Sequence, residues 1–387
     1  MEFIPYSCQN IDEQDIEAVC GALRSEYVTQ GPTIPIFEKD FAHRHGASHA
    51  VAVSNATAGL HIALMALGVG PGSKVWTSPN SFVASANAVL YCGAEIDFVD
   101  IASSTRNMSL EALRAKLDRA AAIGALPDVV IPVDFAGMSA DLREIRCLAD
   151  QYNFRILEDA SHATGASYLG NPVGSKYADA TVFSFHAVKV ITTCEGGMVV
   201  TNENKIAGLM RQLRSHGITR SRDEMERESP GGWYYEQQVL GFNYRMTEIQ
   251  AALGISQLRR LDAFKLQRNL IADRYADLLV NLPLILPITL DDRESAWHIY
   301  SIEIDEAKTN KSRATVFQYL MSENIGVNVH YIPIHLQPYY ARLGFRKGDF
   351  PASERYYDRA ISIPLFPTLT EAQQMRVVFA LRKALLE

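Results

Sequence analysis

The stretch HAVAVSNATAGLHIALMALGVG, residues 49–70, joins two apolar segments of different period through a small polar turn. The first segment, HAVAV, is short and nearly all apolar, which is typical of a strand buried on both faces. In the second, Leu60, Leu64 and Leu67 recur at the spacing of a helix that buries one face. The stretch therefore predicts a strand followed closely by a helix, the unit from which α/β proteins are built.

The same unit recurs along the chain as far as residue 201. Further apolar runs that indicate strands are SKVWTSP, AEIDFVDI, PDVVIPVDFAG, FRILEDAS, ATVFSFH and GGMVVTN, most of them separated by helix-length segments such as DLREIRCLADQYN. This alternation predicts an α/β fold with a mainly parallel central sheet and helices on both faces. Ligands of such sheets gather at the carboxyl ends of the strands, where Asn55, Asp134, Asp159 and Ser184 fall.

A second, smaller unit is indicated toward the C-terminus. A long helical pattern covers residues 246–282, and the sequence then changes character. The segment AWHIYSIEID, a helical pattern near 311–323 and the segment GVNVHYIPIH are typical of a small α+β unit. We predict a large cofactor-binding domain at 1–255, which includes an N-terminal substrate segment, and a small C-terminal domain at 256–387.

Composition excludes several classes of protein. A net charge of −7 and a pI near 5.8 argue against a nucleic-acid-binding protein. The N-terminus shows no secretory signal, and no apolar run reaches the roughly 18 residues of a membrane span. The five cysteines are scattered without a C-x-x-C pair, which favours reduced thiols in the cytoplasm over disulfides or a zinc site. We therefore expect a cytoplasmic protein without a metal site.

The most unusual residue of the chain is Lys189, in the stretch VFSFHAVKVITTCEGGMVV at 182–200. It falls on a short loop between two apolar strands, where a cation is costly unless it has a role. A lysine whose pKa is lowered by its surroundings can form a Schiff base with an aldehyde. Ser184 and His186 precede it with a hydroxyl group and a ring, and Gly196 and Gly197 allow another backbone to approach closely.

Three other motifs carry candidate chemistry. SNATAG at 54–59 precedes a helix and can bind phosphate through free backbone N–H groups, although an ordinary helix cap explains it equally well. Asp159, with His162 three residues later, can hold a heterocyclic nitrogen protonated or can simply cap a helix. Asn243 and Arg245 precede a long helix, where a helix start with a surface arginine is the alternative.

These motifs together match the needs of one cofactor. Pyridoxal phosphate presents a phosphate, a pyridine nitrogen and an aldehyde, and each requires a different partner. A phosphate-binding turn, an acid and then a lysine thirty residues later supply those three partners, if the strand ends converge. The sequence therefore predicts a pyridoxal-phosphate site.

The chain also resembles a known family over nearly its whole length, from YVTQGPTIPIFEKDFA to SIPLFPTLTEAQ. The motifs EDASHATGA, FSFHAVKVITTCEGGMVVTN, RSHGI and GFNYRMTEIQAALGISQL are similar to those of the DegT/DnrJ/EryC1/StrS sugar aminotransferases, which are fold type I pyridoxal-phosphate enzymes. The segments PYSCQNIDEQDIEAV, EYVTQG and VHYIPIHLQPYYARLGF resemble members that act in pseudaminic-acid biosynthesis. In the family's dehydratases a histidine replaces the lysine, so the presence of Lys189 favours transamination.

The resemblance implies a role for each matching residue. Lys189 would form the Schiff base and move the proton, and Asp159 would pair with the pyridine nitrogen. Phe82 would lie against one ring face, although the pattern alone favours a core position for it. Asn243 would reach into the site of a second subunit, which implies a homodimer. The full cofactor-binding set implied is Ala56, Thr57, Ala58, Phe82, Asp159, His162, Ser184, His186 and Asn243.

Substrate recognition is implied for a second set of residues. It comprises Tyr6, Glu26, Tyr27, Val28, Thr29, Arg245, His330, Tyr331, Ile332, Pro333 and Tyr340. The reaction implied is transfer of an amino group from L-glutamate to C4 of UDP-4-keto-6-deoxy-N-acetyl-β-L-altrosamine. Three alternatives stay open. The first is a 4-aminotransferase for another nucleotide keto-sugar, of the UDP-bacillosamine or GDP-perosamine type. The other two are a pyridoxal-phosphate-binding regulator and a purely structural protein.

Overall fold

The computed structural model describes residues 2–387. Its helices are α1 Glu13–Arg24, α2 Thr33–Arg44, α3 Ala56–Ala66, α4 Ala84–Tyr91, α5 Leu110–Ala122, α6 Leu142–Tyr152, α7 Asn204–Arg214, α8 Glu248–Arg259, α9 Leu261–Leu279, α10 Arg313–Ser322, α11 Pro338–Ala341, α12 Pro351–Arg359 and α13 Glu371–Leu386. Its strands are β1 His49–Val53, β2 Lys74–Thr77, β3 Glu95–Phe98, β4 Val129–Ile131, β5 Arg155–Asp159, β6 Ser167–Tyr168, β7 Asn171–Pro172, β8 Ala180–Ser184, β9 Gly197–Thr201, β10 Ile218–Thr219, β11 Glu236–Gln237, β12 Leu284–Ile285, β13 Arg293–Glu294, β14 Tyr300–Ile304 and β15 Ala360–Ile363.

The central sheet has seven strands in the order β1-β9-β8-β5-β4-β2-β3. The pairs from β8 to β3 are parallel, and β9 runs antiparallel to both of its neighbours. All seven strands coincide with the apolar runs of the sequence, so the predicted mainly parallel α/β fold is confirmed.

The strands appear as continuous apolar runs because helices cover both faces of the sheet. Val182 and Val199 pack in one hydrophobic core with residues of α3 and α7. Phe183 and Val200 point to the opposite face and pack in a second core with residues of α2 and α8. Alternate side chains of one strand therefore enter two different cores, and both cores require apolar residues.

The long helical pattern at 246–282 forms two helices rather than one. Arg260 separates α8 from α9 with a backbone conformation outside the helical range, φ −99° and ψ 2°. Its guanidinium group forms ion pairs with Asp12, at 2.8 Å, and with Asp15. The break thus joins this pair of helices to the start of α1.

The C-terminal part has its own core. The sheet β12-β14-β15 packs its residues with α9, α10 and α13 in one hydrophobic cluster, which also takes in Ile4 from the N-terminus. The predicted domain boundary between 255 and 256 falls inside α8 and stays a prediction. The segment GVNVHYIPIH forms no regular strand; it makes one bridge, Asn328 to Ser362, and then extends toward the large sheet.

The sheet brings the predicted strand-end residues to one edge. Asp159 is the last residue of β5, and Val133, just beyond β4, forms a parallel bridge with it. Ser184 ends β8 and pairs with Gly197 of β9. None of the helices within residues 2–387 combines the length and apolar character needed to cross a membrane.

Candidate active site

Lys189 lies on the loop between β8 and β9, as the sequence predicts. Its N–H donates to the carbonyl of His186 at 2.9 Å, and the loop closes where Phe185 N donates to Gly196 O at 2.9 Å. The side chain is half-buried. Burial lowers the pKa of Lys189 to about 8, while the carboxylate of Asp159 acts in the opposite direction. A lysine amine of this kind is partly neutral near physiological pH and can act as a nucleophile.

Asp159 is held rigidly at the end of β5. Oδ2 accepts a hydrogen bond from Ser85 Oγ at 2.7 Å, and Oδ1 accepts one from the N–H of Ser161 at 3.1 Å. The residue is only 4% exposed, so the carboxylate is shielded from water, and its charge acts on the amine of Lys189. A buried carboxylate with fixed partners is suited to hold a proton on a heterocyclic nitrogen.

His162 is neutral, and its tautomer follows from its partners. The N–H of Ala136 donates to Nδ1 at 3.2 Å, so the ring hydrogen is on Nε2, which lies 3.0 Å from the hydroxyl of Tyr331. Burial, followed by the charge of Lys189 and by His330, holds the pKa of His162 well below its usual value. Tyr331 Oη therefore accepts from His162, and its own hydroxyl hydrogen is free to donate elsewhere.

A phosphate-binding corner lies at the start of α3. Asn55 caps this helix, since its Oδ1 accepts from the N–H of Ala58 at 2.9 Å. The N–H of Ala58 is therefore occupied by the cap. The other N–H groups of the first turn, those of Ala56 and Thr57, are the ones that could donate to a phosphate. A Cβ at Gly197 would lie 2.8 Å from Ala56 N, so β9 can approach this corner only with glycine at that position. Ser184 pairs with Gly197 and is therefore close to the same corner.

Comparison with known proteins identifies the family to which the chain belongs. The model of the DegT/DnrJ/EryC1/StrS aminotransferase family matches residues 9–382. The chain belongs to this family. As an aminotransferase of the family it is an enzyme, so the regulator and the purely structural protein are set aside.

Individual relatives are similar over almost their full length. The DegT-family chain is 39% identical to the spore coat polysaccharide biosynthesis protein SpsC of Bacillus subtilis, over 98% of this chain and 96% of SpsC. Helicobacter pylori PseC, an aminotransferase of pseudaminic-acid biosynthesis, superposes with a TM-score of 0.90 at 29% identity and covers 99% of both chains. The sugar aminotransferase Spr1654 of Streptococcus pneumoniae, in its PMP form, gives a TM-score of 0.89 at 28% identity over 98% of both chains.

The cofactor of this family fits the residues of the chain. Spr1654 has been solved in PLP and PMP forms, and pyridoxal phosphate is the cofactor that the family uses. In the present chain an amine of lowered pKa, a shielded carboxylate and a helix N-terminus offer partners for its aldehyde, its ring nitrogen and its phosphate. The predicted cofactor is therefore confirmed, whereas the roles of individual residues stay predictions.

Phe82 differs from what the pattern alone favours. Its side chain is 59% exposed, so the core position is wrong. The ring faces Tyr331 with centroids 6.2 Å apart and stands just before α4, whose Ser85 contacts Asp159. Phe82 is left uncovered because it projects into the cleft over the strand ends rather than into a core.

The segment 330–333 also lines the site, since the hydroxyl of Tyr331 contacts His162. His330 is buried, and its Nδ1 lies 2.8 Å from Ser362 Oγ; burial and the charge of Lys189 lower its pKa to about 3. Tyr6 is half-buried and places its ring 5.7 Å from that of His330. Of the following residues, Ile332 is exposed and Pro333 is buried. Tyr340 is buried against Phe98, and its hydroxyl donates to Asn87 at 2.7 Å.

Among residues 2–387, the side chains of the remaining predicted residues form no hydrogen bond with those of Lys189, Asp159 or His162. The segment 26–29 runs beside the start of α8, where Thr29 bridges Thr247, and Tyr27 and Val28 are exposed. Asn243 is exposed, and Arg245 lines a groove with Arg214. His186 is exposed, and its ring lies 3.9 Å from the carboxylate of Glu195.

Two residues that contact the site were not predicted. Ser85 donates to Asp159, and His298 places Nε2 at 3.4 Å from Lys189 Nζ. Ser85 is one of many serines at helix starts, and nothing in its local sequence marks it. His298 was weakly marked in the sequence, because its polar ring interrupts the apolar residues that lead into a strand in AWHIYSIEID.

Proposed function

We propose that the enzyme transfers an amino group from L-glutamate to C4 of UDP-4-keto-6-deoxy-N-acetyl-β-L-altrosamine, a step of pseudaminic-acid biosynthesis. The observation that carries the proposal is the half-buried amine of Lys189 under the influence of the shielded carboxylate of Asp159, with Tyr331 of the loop at 330–333 bonded to His162 of the same site. The likeness to PseC, an aminotransferase of that pathway, supports the substrate branch.

The residues of the chain supply positioning and proton transfer. When bound, pyridoxal phosphate supplies an aldehyde that captures amino groups and a ring that takes up electrons. Lys189 would hold the cofactor and, once released, take and return the proton, for which a pKa of about 8 is suitable. Asp159 would keep a proton on the ring nitrogen. Neutral His162 would keep the hydroxyl of Tyr331 oriented toward the cleft.

A groove next to Phe82 supports a nucleotide-linked substrate. It has a volume of about 490 Å³ and is lined by Tyr91, Tyr339 and Tyr340, among others. Flat aromatic faces and hydroxyl groups are suited to a base and a sugar. A nucleotide group placed there would hold the sugar ketone at the cleft between Phe82 and Tyr331.

A homodimer in the cytoplasm is part of the proposal. The segment between β10 and Asn243 exposes large apolar side chains: Trp233 is 75% exposed and Leu240 is 78% exposed. Exposed apolar side chains clustered in one segment are typical of a subunit interface. Burying this segment against a second copy would bring Asn243 to the partner's phosphate corner. The five free cysteines favour the cytoplasm.

The second candidate is a 4-aminotransferase for another nucleotide keto-sugar, of the UDP-bacillosamine or GDP-perosamine type. A substrate outside pseudaminic-acid biosynthesis is supported by the higher identity to SpsC, a protein of spore coat polysaccharide biosynthesis (39%), than to PseC (29%). The deciding experiment incubates the purified enzyme with L-glutamate and each keto-sugar, and measures the amino sugar by mass spectrometry. Amination of the altrosamine substrate at a kcat/KM at least tenfold above the others supports the proposal. A preference for another keto-sugar would assign that sugar as the substrate instead. If none of the keto-sugars is aminated, the proposed function is contradicted.

A further inference from the structure

His298 is a buried polar side chain that makes a single polar contact with the part of the chain that the structure describes. It lies two residues before β14 and is 3% exposed. Nε2 lies 3.4 Å from Lys189 Nζ, whereas Nδ1 has no hydrogen-bond partner among residues 2–387. A buried imidazole with an unpaired nitrogen costs free energy relative to an apolar residue. Within the described residues, the contact with Lys189 is the one polar interaction of the ring that offsets this cost.

The backbone around His298 is fixed from two sides. Its N–H donates to Ala136 O at 2.9 Å, and its carbonyl accepts from Arg268 Nη1 at 3.2 Å. Gly137, at φ +103°, allows the close approach, since a Cβ there would lie 3.0 Å from His298 N. Trp297 itself adopts a left-handed φ of +46°. This turn, strained at Trp297, holds the ring in one place, as expected for a residue that must meet a specific atom.

The charges around the pair keep His298 neutral. Burial, with the charges of Lys189 and Arg268 and the neighbouring rings of His162 and His330, holds its pKa well below the usual value. The amine keeps its proton in preference to the imidazole, because the pKa of Lys189 is about 8. The lone pair of Nε2 is therefore available as an acceptor for an N–H of Lys189.

We propose that His298 is a positioning residue for Lys189: its Nε2 accepts a hydrogen bond from the lysine amine whenever that amine is not bonded to the cofactor. The amine is then held at the site during the proton transfers instead of moving over its many rotamers. This inference rests on the proposed role of Lys189. The residue it adds, His298, comes from the C-terminal part of the chain, whereas Lys189 and Asp159 come from the loops and strands of the central sheet.

The test compares His298→Gln with His298→Asn in the full-length enzyme. The Gln amide can reach the position of Nε2, whereas the Asn amide reaches only that of Nδ1, so both keep a buried polar group. The first readout is the pH dependence of Lys189 modification by trinitrobenzenesulfonate in the cofactor-free protein, measured by peptide mass spectrometry. Loss of the acceptor destabilises the ammonium form. His298→Asn should therefore make Lys189 roughly three- to ten-fold more reactive at pH 7, and His298→Gln should restore the wild-type value.

The second readout is the single-turnover rate of the half-reaction with L-glutamate. His298→Asn should lower its limiting rate about tenfold without changing the glutamate concentration for half-maximal rate, and His298→Gln should recover most of it. The neighbouring buried variant Ile299→Val should match the wild type in both readouts.

Two results would overturn the inference: a wild-type Lys189 profile in His298→Asn, or equal behaviour of the Asn and Gln variants. Failure of the proposed function is distinguishable, because it would leave the wild-type enzyme itself without amination of any keto-sugar.

Discussion

Ser85 Oγ donates a hydrogen bond of 2.7 Å to Oδ2 of Asp159, and both side chains are almost completely buried. The start of α4 thus fixes the carboxylate at the end of β5. Ser85→Ala should lower cofactor affinity, because a hydrogen bond to a buried charge contributes about 1.5–3 kcal/mol, on the order of ten- to a hundred-fold. The measurement is a titration of the cofactor-free enzyme with pyridoxal phosphate.

The control for Ser85 is Ser78→Ala. Ser78 is equally buried, but its hydroxyl has no partner in the described part of the chain. Its loss should leave cofactor affinity unchanged. Equal affinities of wild type and Ser85→Ala would show that this hydrogen bond does not support the cofactor site.

The lowered pKa of Lys189 predicts how cofactor capture depends on pH. Only the neutral amine attacks an aldehyde, so the rate should rise with pH through a midpoint near 8 rather than near 10.5. Asp159→Asn removes the charge that opposes the shift, and should move the midpoint to lower pH. Stopped-flow absorbance between pH 6 and 10 measures both. A midpoint near 10.5 in the wild type would contradict the burial of the amine.

Gly197 predicts a steric test of the phosphate corner. In Gly197→Ala the new Cβ would lie 2.8 Å from Ala56 N, so either β9 or the start of α3 must shift. Cofactor affinity should fall at least tenfold. The matched control is Gly208→Ala in α7, where a Cβ meets nothing within 4 Å and should stabilise the helix by about 0.5–1 kcal/mol. Wild-type cofactor affinity in Gly197→Ala would place the phosphate elsewhere.

The carboxyl groups of Asp134 and Glu158 predict a pH-dependent stability. Both side chains are buried and act on each other electrostatically, and burial is the main cause that raises the pKa of Glu158 to about 7 and that of Asp134 well above its usual value. Between about pH 4.5 and 7 the folded state keeps a proton that the unfolded state releases. The free energy of unfolding should therefore fall as pH rises through this window, by up to about 3 kcal/mol.

Urea unfolding at pH 5 and pH 8 tests this. Glu158→Gln cannot titrate, so its stability should change less between the two pH values than that of the wild type. The exposed helix variant Glu111→Gln should keep the wild-type difference. The same pH difference in Glu158→Gln and wild type would show that the pair does not hold the proton.

The fold was predictable because burial on both faces leaves a direct trace in the sequence. Each strand of the central sheet is an apolar run between polar turns, and the strand ends at Asp159 and Ser184 were predictable for the same reason. Lys189 stood out because a lysine is unusual between two such runs. These features depend on local pattern and on one rule of sheet topology.

Residues that approach from other elements were not predictable. Ser85 and His298 reach the site through the packing of α4 and of the small sheet, and local sequence does not encode that packing. Phe82 matches a core pattern because exposure in a cleft leaves no periodic signal. The break at Arg260 depends on partners in α1, far away in the sequence.

The measurement that tests the central claim most directly is reductive trapping of the cofactor. The holoenzyme is treated with sodium borohydride, digested, and searched by mass spectrometry for the lysine that carries the pyridoxyl group. We predict the label on Lys189, its absence in Lys189→Ala, and wild-type labelling and amination in the exposed-lysine control Lys176→Ala. A label on another lysine, or amination at the wild-type rate by Lys189→Ala, would contradict this prediction.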